Sequence, residues 1–312
     1  MPRAHLDSSS QTGISASTRG IQPEWVTGKE NSWLKRFRAA FAGRVEKDGG
    51  AIAIEGARLV EEALRSAIPV DAILVNEIGR KHLARIGPML ASSVRLLATS
   101  DRIFAHLAET ETPQGIAALV RPRRASFDDL LGGPGTPLVV VLVGIQDPGN
   151  VGTILRTAEA LGASGVAACK ADSLGTAHVF SSKVIRASAG AGFRFPVAEA
   201  ISLPILQTQF RVAGVRIIAA SSHVPAADSL APWQTDLRGP VALLIGNEGA
   251  GLSLDVERAA DARICIPLAE PRGIPGAKVE SLNAAMAATV LLYEAARQRA
   301  EAAGIKREAG AG

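Results

Sequence analysis

Apolar and polar positions along the chain follow a pattern that is typical of a mixed α/β protein. Several short, continuous apolar runs are separated by segments with helical periodicity, and buried parallel strands have this appearance. The runs lie at 138–145, 165–168, 215–219, 241–245 and 263–266. Their alternation with helical segments predicts a βα repeat and a mainly parallel sheet flanked by helices over 137–303.

A smaller α/β unit is predicted ahead of this sheet, over residues 25–122. Its strands are expected at 51–54, 70–75, 94–98 and 116–120, and its first helices at 31–42 and 57–67. Residues 123–136 carry Arg, Asp, Gly and Pro without periodicity, and the pattern predicts a linker there. Residues 1–24 and 304–312 are interpreted as a disordered leader and a disordered tail.

The composition permits two cores and excludes several classes of protein. The chain has 312 residues, of which 47% are hydrophobic, which makes two domains the prior expectation. No run of about 18 apolar residues is present, so a membrane span is not predicted. The leader lacks the apolar segment of a secretory signal, and Cys169 and Cys265 are expected to be buried in a reducing compartment. We therefore predict a cytoplasmic protein without a metal site.

The charge balance favours a polyanionic partner without requiring one. The net charge is +4, which many solvated surfaces share. A local cluster on the first predicted helix, formed by Lys35, Arg36 and Arg38, is a candidate RNA-binding surface. Plain solvation of these side chains is an equal alternative.

Three segments carry polar residues directly after apolar runs, at the edge of an α/β sheet where ligands bind. The first, 148–156, contains Asn150 and Arg156; the second, 246–251, contains Glu248; the third is 281–283. Taken singly, Asn150 and Ser281 are predicted helix caps, Glu248 an exposed loop acid and Asn283 a neutral first-turn residue. Arg156 differs, because its predicted helix is otherwise apolar or small.

Taken together and in order, the segments resemble the motifs of the SpoU/TrmH family of RNA ribose 2′-O-methyltransferases, which belong to the SPOUT superfamily. The resemblance covers roughly 138–300. The matching residues are Asn150, Arg156-Thr157-Ala158 and Gly162, then Gly246-Asn247-Glu248-Gly249-Ala250-Gly251, then Ile266-Pro267, Ser281-Leu282-Asn283, Tyr293-Glu294 and Arg297-Gln298-Arg299. A softer similarity relates 25–122 to the RNA substrate-binding domain of that family.

The resemblance implies a trefoil-knotted SPOUT domain at 137–303 that binds S-adenosylmethionine and methylates structured RNA, either rRNA or tRNA. It implies a homodimer formed through the knotted domain. The catalytic residues it implies are Asn150, Arg156, Glu248, Ser281 and Asn283, and the implied cofactor-binding residues are Gly246, Gly251, Ile266 and Leu282.

One departure from the family pattern leaves an alternative open. The segment 268–280 is longer than the resemblance implies, which puts the detailed contacts of the cofactor pocket in doubt. The alternative is an RNA-binding protein of the same fold without catalytic activity. The intact motif residues argue against it. A nucleotide-binding metabolic enzyme is disfavoured, because the chain has neither a G-x-G-x-x-G fingerprint nor a P-loop.

Overall fold

The structure is a computed structural model, and it describes residues 22–28, 30–44, 50–171, 174–221, 228–269 and 280–304. The predicted leader and tail lie almost wholly outside these residues, as does most of the 268–280 insertion. The strands are β1 Glu24–Trp25, β2 Ile52–Glu55, β3 Val70–Val75, β4 Arg95–Ala98, β5 Ile116–Val120, β6 Leu138–Val143, β7 Gly165–Ala171, β8 Leu174–Gly175, β9 Val197–Ile201, β10 Arg216–Ala220, β11 Val241–Ile245 and β12 Ala262–Ile264. The helices are α1 Ser32–Phe41, α2 Ala57–Arg65, α3 Leu83–Ile86, α4 Asp101–Leu107, α5 Phe127–Leu131, α6 Pro148–Ala160, α7 Ser182–Ala187, α8 Ala191–Arg194, α9 Leu203–Val212, α10 Leu254–Ala259 and α11 Ala284–Ala302.

The first five strands form one mixed sheet in the order β1-β4-β3-β5-β2. Strand β5 runs antiparallel to β3 and β2, whereas β1, β4 and β3 are mutually parallel. Helix α1 packs on this sheet through Leu34 and Phe37, which are both buried. Trp33 and Phe41, on either side of Phe37 in the helical repeat, are only half-buried.

The remaining strands form a seven-stranded sheet in the order β12-β10-β11-β6-β7, with β8 and β9 both paired to β7. Every pair in it is parallel except β7 with β8. The mainly parallel sheet flanked by helices is confirmed. Strand β9 was not predicted, since its sequence interrupts the apolar pattern with Glu199 and its residue Ala200 has a positive φ of 61°.

The order of the strands reverses beside β6. The chain moves outward from β6 to β7 and β9, and then returns to place β10, β12 and β11 on the other side. Such a reversal leaves a crevice at the carboxyl ends of the strands, where ligands bind in open α/β sheets. The segments that follow β6, β11 and β12 therefore meet at one edge.

Two helix starts differ from the predicted ones. Helix α6 begins at Pro148, and its N-cap is Asp147, whose carboxylate accepts a hydrogen bond from the Gly149 N–H at 2.8 Å. The predicted cap, Asn150, lies inside the helix. Helix α11 begins three residues later than predicted, with Asn283 as its N-cap, so Ser281 is not a cap.

The predicted linker contains a short helix. A capping box between Ser126 and Asp129 begins α5, and Leu130 is fully buried beneath the second sheet. The arginines at this end of the first unit are ion-paired: Arg121 contacts Asp71, Arg123 contacts Asp129, and Arg124 contacts Glu199.

The two sheets are held together by the segment 182–194. Arg194 forms a bidentate ion pair with Glu159 of α6, with both distances 2.7 Å, and also contacts Glu62 of α2. Glu109 of the first unit contacts Ser182 and Arg186. The first unit is therefore linked to helix α6 through Arg194.

Among the helices that the structure describes, none is long and apolar enough to cross a membrane.

The contact between α6 and α7 requires a glycine at position 152. A Cβ there would lie 2.4 Å from the Cβ of Ala187 and 2.8 Å from the carbonyl oxygen of Val184. We expect Gly152→Ala to lower the free energy of unfolding by about 1–3 kcal/mol through overpacking, measured by urea denaturation. Gly239→Ala is the matched control, because no atom lies within 4 Å of its added Cβ. Equal stability of the two variants would contradict this account of the helix contact.

Candidate active site

A cavity of about 540 Å³ opens at the edge where the strand ends meet. Its walls come from the loop after β11, the segment after β12, residues 280–282 and the first turns of α11. Gly246 shapes one wall, because a Cβ at this position would lie 2.5 Å from the Gly251 carbonyl carbon and from the Leu252 nitrogen. The main chain at Gly246 therefore approaches the main chain at 251–252 more closely than any other residue type would allow.

The loop 246–251 is held in shape by Asn247. Its Oδ1 accepts hydrogen bonds from the N–H groups of Gly249 at 2.9 Å and Ala250 at 3.0 Å. Its Nδ2 donates to the Gly144 carbonyl oxygen at 2.8 Å, just beyond the end of β6. The glycine-rich loop is thus fixed to the neighbouring strand. The sequence analysis gave Asn247 no role of its own, although an Asn between glycines commonly shapes a turn in this way.

A chain of three polar side chains joins the three motif segments beside the cavity. Asn283 Nδ2 donates to Asn150 Oδ1 at 3.0 Å, and Asn150 Nδ2 donates to Glu248 Oε1 at 2.8 Å. Asn150 is only 8% exposed, so it uses both ends of its amide for these contacts. Glu248 also accepts a hydrogen bond from the Gln146 N–H at 3.4 Å. Asn283 in addition caps α11 through its Oδ1.

Most of the residues predicted for the site are brought together. Gly246, Gly251, Ile266 and Leu282 all line the cavity, as do Glu248 and Ser281.

Arg156 is the exception. It lies on the exposed face of α6, with Gly149 and Thr153, and it is not part of the cavity wall. Among the described residues it forms no ion pair, unlike Arg194 and Arg297, which bind acids. A cation that faces solvent beside the site is available to an anionic group of a substrate.

The described lining of the cavity carries acidic but no basic side chains. The acids are Glu248, Glu257 and Glu280, and the lining residues include no Lys, Arg or His. A ligand that is held through its phosphates would be repelled here, whereas a cationic ligand would be attracted.

The two cysteines differ more than the sequence analysis expected. Cys169 is buried in β7, and burial raises the pKa of its thiol to about 12. Cys265 is only half-buried and lines the cavity. Burial also raises the pKa of its thiol, which makes a reactive thiolate unfavourable.

The predicted RNA-binding cluster on α1 is partly occupied by contacts within the chain. Arg36 binds Asp71 and stacks on the Trp33 ring, with its guanidinium carbon 4.7 Å from the ring centroid. Burial alone would raise the pKa of Asp71, but hydrogen bonds from Arg121 and Arg36 hold it below its ordinary value. Lys35 forms an exposed ion pair with Glu30, and Arg38 is exposed. Arg36 therefore has a structural role in addition to any contact with RNA.

No cluster of His, Cys, Asp and Glu that could hold a metal ion occurs in the described part of the chain.

The position of Asn150 between two partners generates a prediction. In Asn150→Asp the shape is retained, but the donor to Glu248 is replaced by a second carboxylate oxygen at hydrogen-bond distance. We expect this variant to lose about 1–3 kcal/mol of unfolding free energy and to be less stable than Asn150→Ala, which brings no charge. Urea denaturation at pH 8 measures both. An Asp variant at least as stable as the Ala variant would contradict the polar chain.

Comparison with known proteins identifies the family. The SpoU rRNA Methylase family model matches residues 137–293, and a model of the MRM3-like substrate binding domain matches residues 43–118. The chain is 32% identical over 270 residues to the 23S rRNA (guanosine(2553)-2′-O)-methyltransferase RlmP of Bacillus subtilis, covering 86% of this chain and 97% of that protein.

Solved structures of related enzymes superpose on this chain over most of its length. An AdoMet-bound rRNA methyltransferase from Sinorhizobium meliloti superposes with a TM-score of 0.72 at 28% identity, covering 88% of this chain and 97% of that one. The SpoU methyltransferase AviRb from Streptomyces viridochromogenes, in complex with AdoMet, superposes with a TM-score of 0.70 at 26% identity, covering 87% and 100%. The family model and these relatives together show that the chain belongs to the SpoU rRNA methylase family.

Proposed function

We propose that this protein transfers a methyl group from S-adenosylmethionine to a ribose 2′-hydroxyl of RNA. The observation that carries the proposal is the cavity at the strand ends, walled by main chain at Gly246 and joined to the Asn283–Asn150–Glu248 chain. The relatives named above are rRNA 2′-O-methyltransferases or AdoMet-bound enzymes of the same family.

The cavity fits the cofactor in size and in charge. A volume of about 540 Å³ lies within the usual range for small-molecule sites. Its acidic lining suits the positive sulfonium, and its apolar residues, among them Leu252 and Ile264, suit an adenine ring. We propose that Gly246, Gly251, Ile266 and Leu282 hold the cofactor. When bound, S-adenosylmethionine supplies a methyl group on a positively charged sulfur.

The proposed reaction depends on positioning more than on acid–base chemistry. An in-line attack of the ribose oxygen would form the new bond to the methyl carbon as the carbon–sulfur bond breaks, and the hydroxyl proton would pass to water, so the residues of the site mainly have to align that oxygen. We propose that Glu248, Ser281 and the two asparagines shape the pocket for that oxygen. Asn150 and Asn283 are fixed by their mutual hydrogen bond, and Glu248 and Ser281 line the cavity.

Arg156 is proposed to act on the RNA. A guanidinium cannot be deprotonated in proteins, which makes it a poor base. Its exposed position suits a bidentate contact with an RNA phosphate, together with stabilisation of negative charge that develops on the ribose oxygen. In this role Arg156 stays outside the cofactor cavity, so its positive charge does not repel the sulfonium of the cofactor.

We propose that residues 25–122 form the RNA substrate-binding domain, that 137–303 form the methyltransferase domain with its chain threaded as a trefoil knot, and that the protein works in the cytoplasm. The match of 43–118 to a substrate-binding model supports the first assignment. The 23S rRNA methyltransferase relative favours ribosomal RNA over tRNA as the substrate.

A homodimer through the knotted domain is supported by an apolar stripe on α11. Met286 is 50% exposed, Val290 40% and Tyr293 61%. They lie at positions i, i+4 and i+7, so they share one helix face. Exposed apolar residues grouped in this way mark an interaction surface.

We expect Arg156→Ala to lose methyl transfer to RNA by at least about 100-fold, as is typical when a charge-stabilising donor is removed, while it retains S-adenosylmethionine binding. Transfer is measured with radiolabelled cofactor on ribosomal RNA and, in parallel, on tRNA, and binding by isothermal titration calorimetry. Arg258→Ala is the matched control, because Arg258 is also an exposed helical arginine but lies on α10.

The same experiment separates the alternatives. Loss of both binding and transfer in Arg156→Ala would make Arg156 a structural residue. If the wild-type protein methylates neither RNA and shows no heat of binding at millimolar S-adenosylmethionine, the enzyme is ruled out in favour of the non-catalytic RNA-binding alternative.

We expect Met286→Glu to convert the wild-type dimer to a monomer, because it places a charge in the centre of the apolar stripe. Sedimentation velocity measures the change. Ile205→Glu on α9 is the control, since Ile205 is similarly exposed at 59% but lies outside the stripe. A wild-type monomer, or a Met286→Glu dimer, would overturn the proposed interface.

A further inference from the structure

Glu257 is an acid in an unusual place. It lies on α10, is only 5% exposed, and lines the cavity. Acidic side chains are almost never this buried unless they are paired. It belongs to none of the three motif segments, and the sequence analysis did not select it.

The other buried glutamates show what such a residue normally requires. Glu61 is 8% exposed and forms ion pairs with Arg65 at 2.6 Å and Arg85 at 2.7 Å. Glu55 is 6% exposed and accepts hydrogen bonds from the Glu109 N–H and from the Thr110 N–H and hydroxyl. Both carboxylates are fully used within the chain.

The Glu257 carboxyl has no such partner among the described residues. The nearby cation, Arg263, donates from Nε to the main-chain oxygen of Glu257 at 3.3 Å and not to its carboxyl group. Its oxygens are not among the fully buried polar atoms that lack a partner in the described chain, so they are open to the cavity. Such a group in a cavity wall is satisfied when a ligand brings a donor.

On the proposed function, we infer that the carboxyl group of Glu257 accepts hydrogen bonds from the adenosyl group of S-adenosylmethionine and is a specificity-determining residue of its site. The adenosyl group offers donors in its ribose diol and its amine.

The position of Glu257 selects the adenosyl group over the methionine end. Helix α10 leads into the edge strand β12, three strands away from β6 in the sheet order, whereas the Asn150–Glu248 contact lies beside β6 and β11. The cavity wall on the side of Glu257 includes the apolar side chains of Leu252 and Ile264. The methionine end carries an ammonium group beside its carboxylate, so charge does not distinguish the two ends, and the assignment depends on the position of Glu257.

A role of Glu257 in ligand binding predicts a melting temperature that a structural role would not. If the carboxyl contacts only solvent and ligand, its replacement by an apolar residue of similar size should remove no contact within the free protein. We expect Glu257→Leu to leave the melting temperature of the ligand-free protein unchanged or raised, and to weaken binding of S-adenosylmethionine by about 10- to 100-fold.

The experiment measures dissociation constants by isothermal titration calorimetry and melting temperatures by calorimetry, on the full chain. The ligands are S-adenosylmethionine and 5′-methylthioadenosine, which keeps the adenosyl group but lacks the amino-acid end. Glu257→Gln is a second variant that retains one acceptor oxygen, and we expect it to lose less affinity than Glu257→Leu. Asp255→Asn is the control on the same helix, because the Asp255 side chain is 96% exposed.

Similar weakening for both ligands, with an unperturbed melting temperature, supports the inference. The inference is overturned if Glu257→Leu binds both ligands within about threefold of wild type, or if its binding of S-adenosylmethionine alone is weakened. It is also overturned if Glu257→Leu melts well below wild type while Glu257→Gln binds normally. If the wild-type protein does not bind S-adenosylmethionine, the proposed function itself is refuted. Failure of the proposed function is therefore distinguishable from failure of the role inferred for Glu257.

Discussion

Two amide hydrogen bonds, from Asn283 to Asn150 and from Asn150 to Glu248, connect segments that lie 133 and 98 residues apart in sequence. Each amide can donate only from its nitrogen, so the direction of the chain is fixed and neither asparagine can be inverted without losing a contact. Asn150 is held within α6 and Asn283 within the first turn of α11. Because these helices also pack on each other, the loop that carries Glu248 is held in place before any ligand binds. The cavity is therefore preorganised, which is what an alignment-dependent reaction requires.

The charges around this site are separated by sign. Acidic residues line the cavity, and the arginine expected to meet RNA stands outside it on the exposed face of α6. A guanidinium within the cavity would repel a cationic cofactor, and an acid on the outer face would repel RNA phosphates. The helix that carries Arg156 also supplies Asn150, from a different face. Helix α6 therefore contributes to both environments, with Asn150 on its buried face and Arg156 on its exposed face.

The sequence predicted the parallel sheet and the gathering of the motif residues, because continuous apolar runs and glycine-rich strand ends are local signals. Prediction from the sequence failed where the partner of a side chain is distant along the chain, or where the local residue pattern fits more than one structure. Asp147 caps α6 instead of Asn150, since Pro148 occupies the first helical position and shifts the cap by three residues. Arg36 of helix α1 was predicted to face RNA, but it binds Asp71, which lies 35 residues away on strand β3. Glu257 stands among charged neighbours on a short helix, which resembles a solvated face, and only the fold reveals that it is buried.

The attachment of the first unit bears on how a nucleotide would be chosen. Arg194 binds Glu62 of the first unit and both carboxylate oxygens of Glu159 on α6, the helix that carries Arg156. The linker adds a second attachment through the buried Leu130 of α5. RNA bound by the first unit would therefore be placed relative to α6 through the contacts of Arg194, and not through a flexible tether with its broad distribution of distances. Selection of one ribose would then depend on a fixed span along a structured RNA.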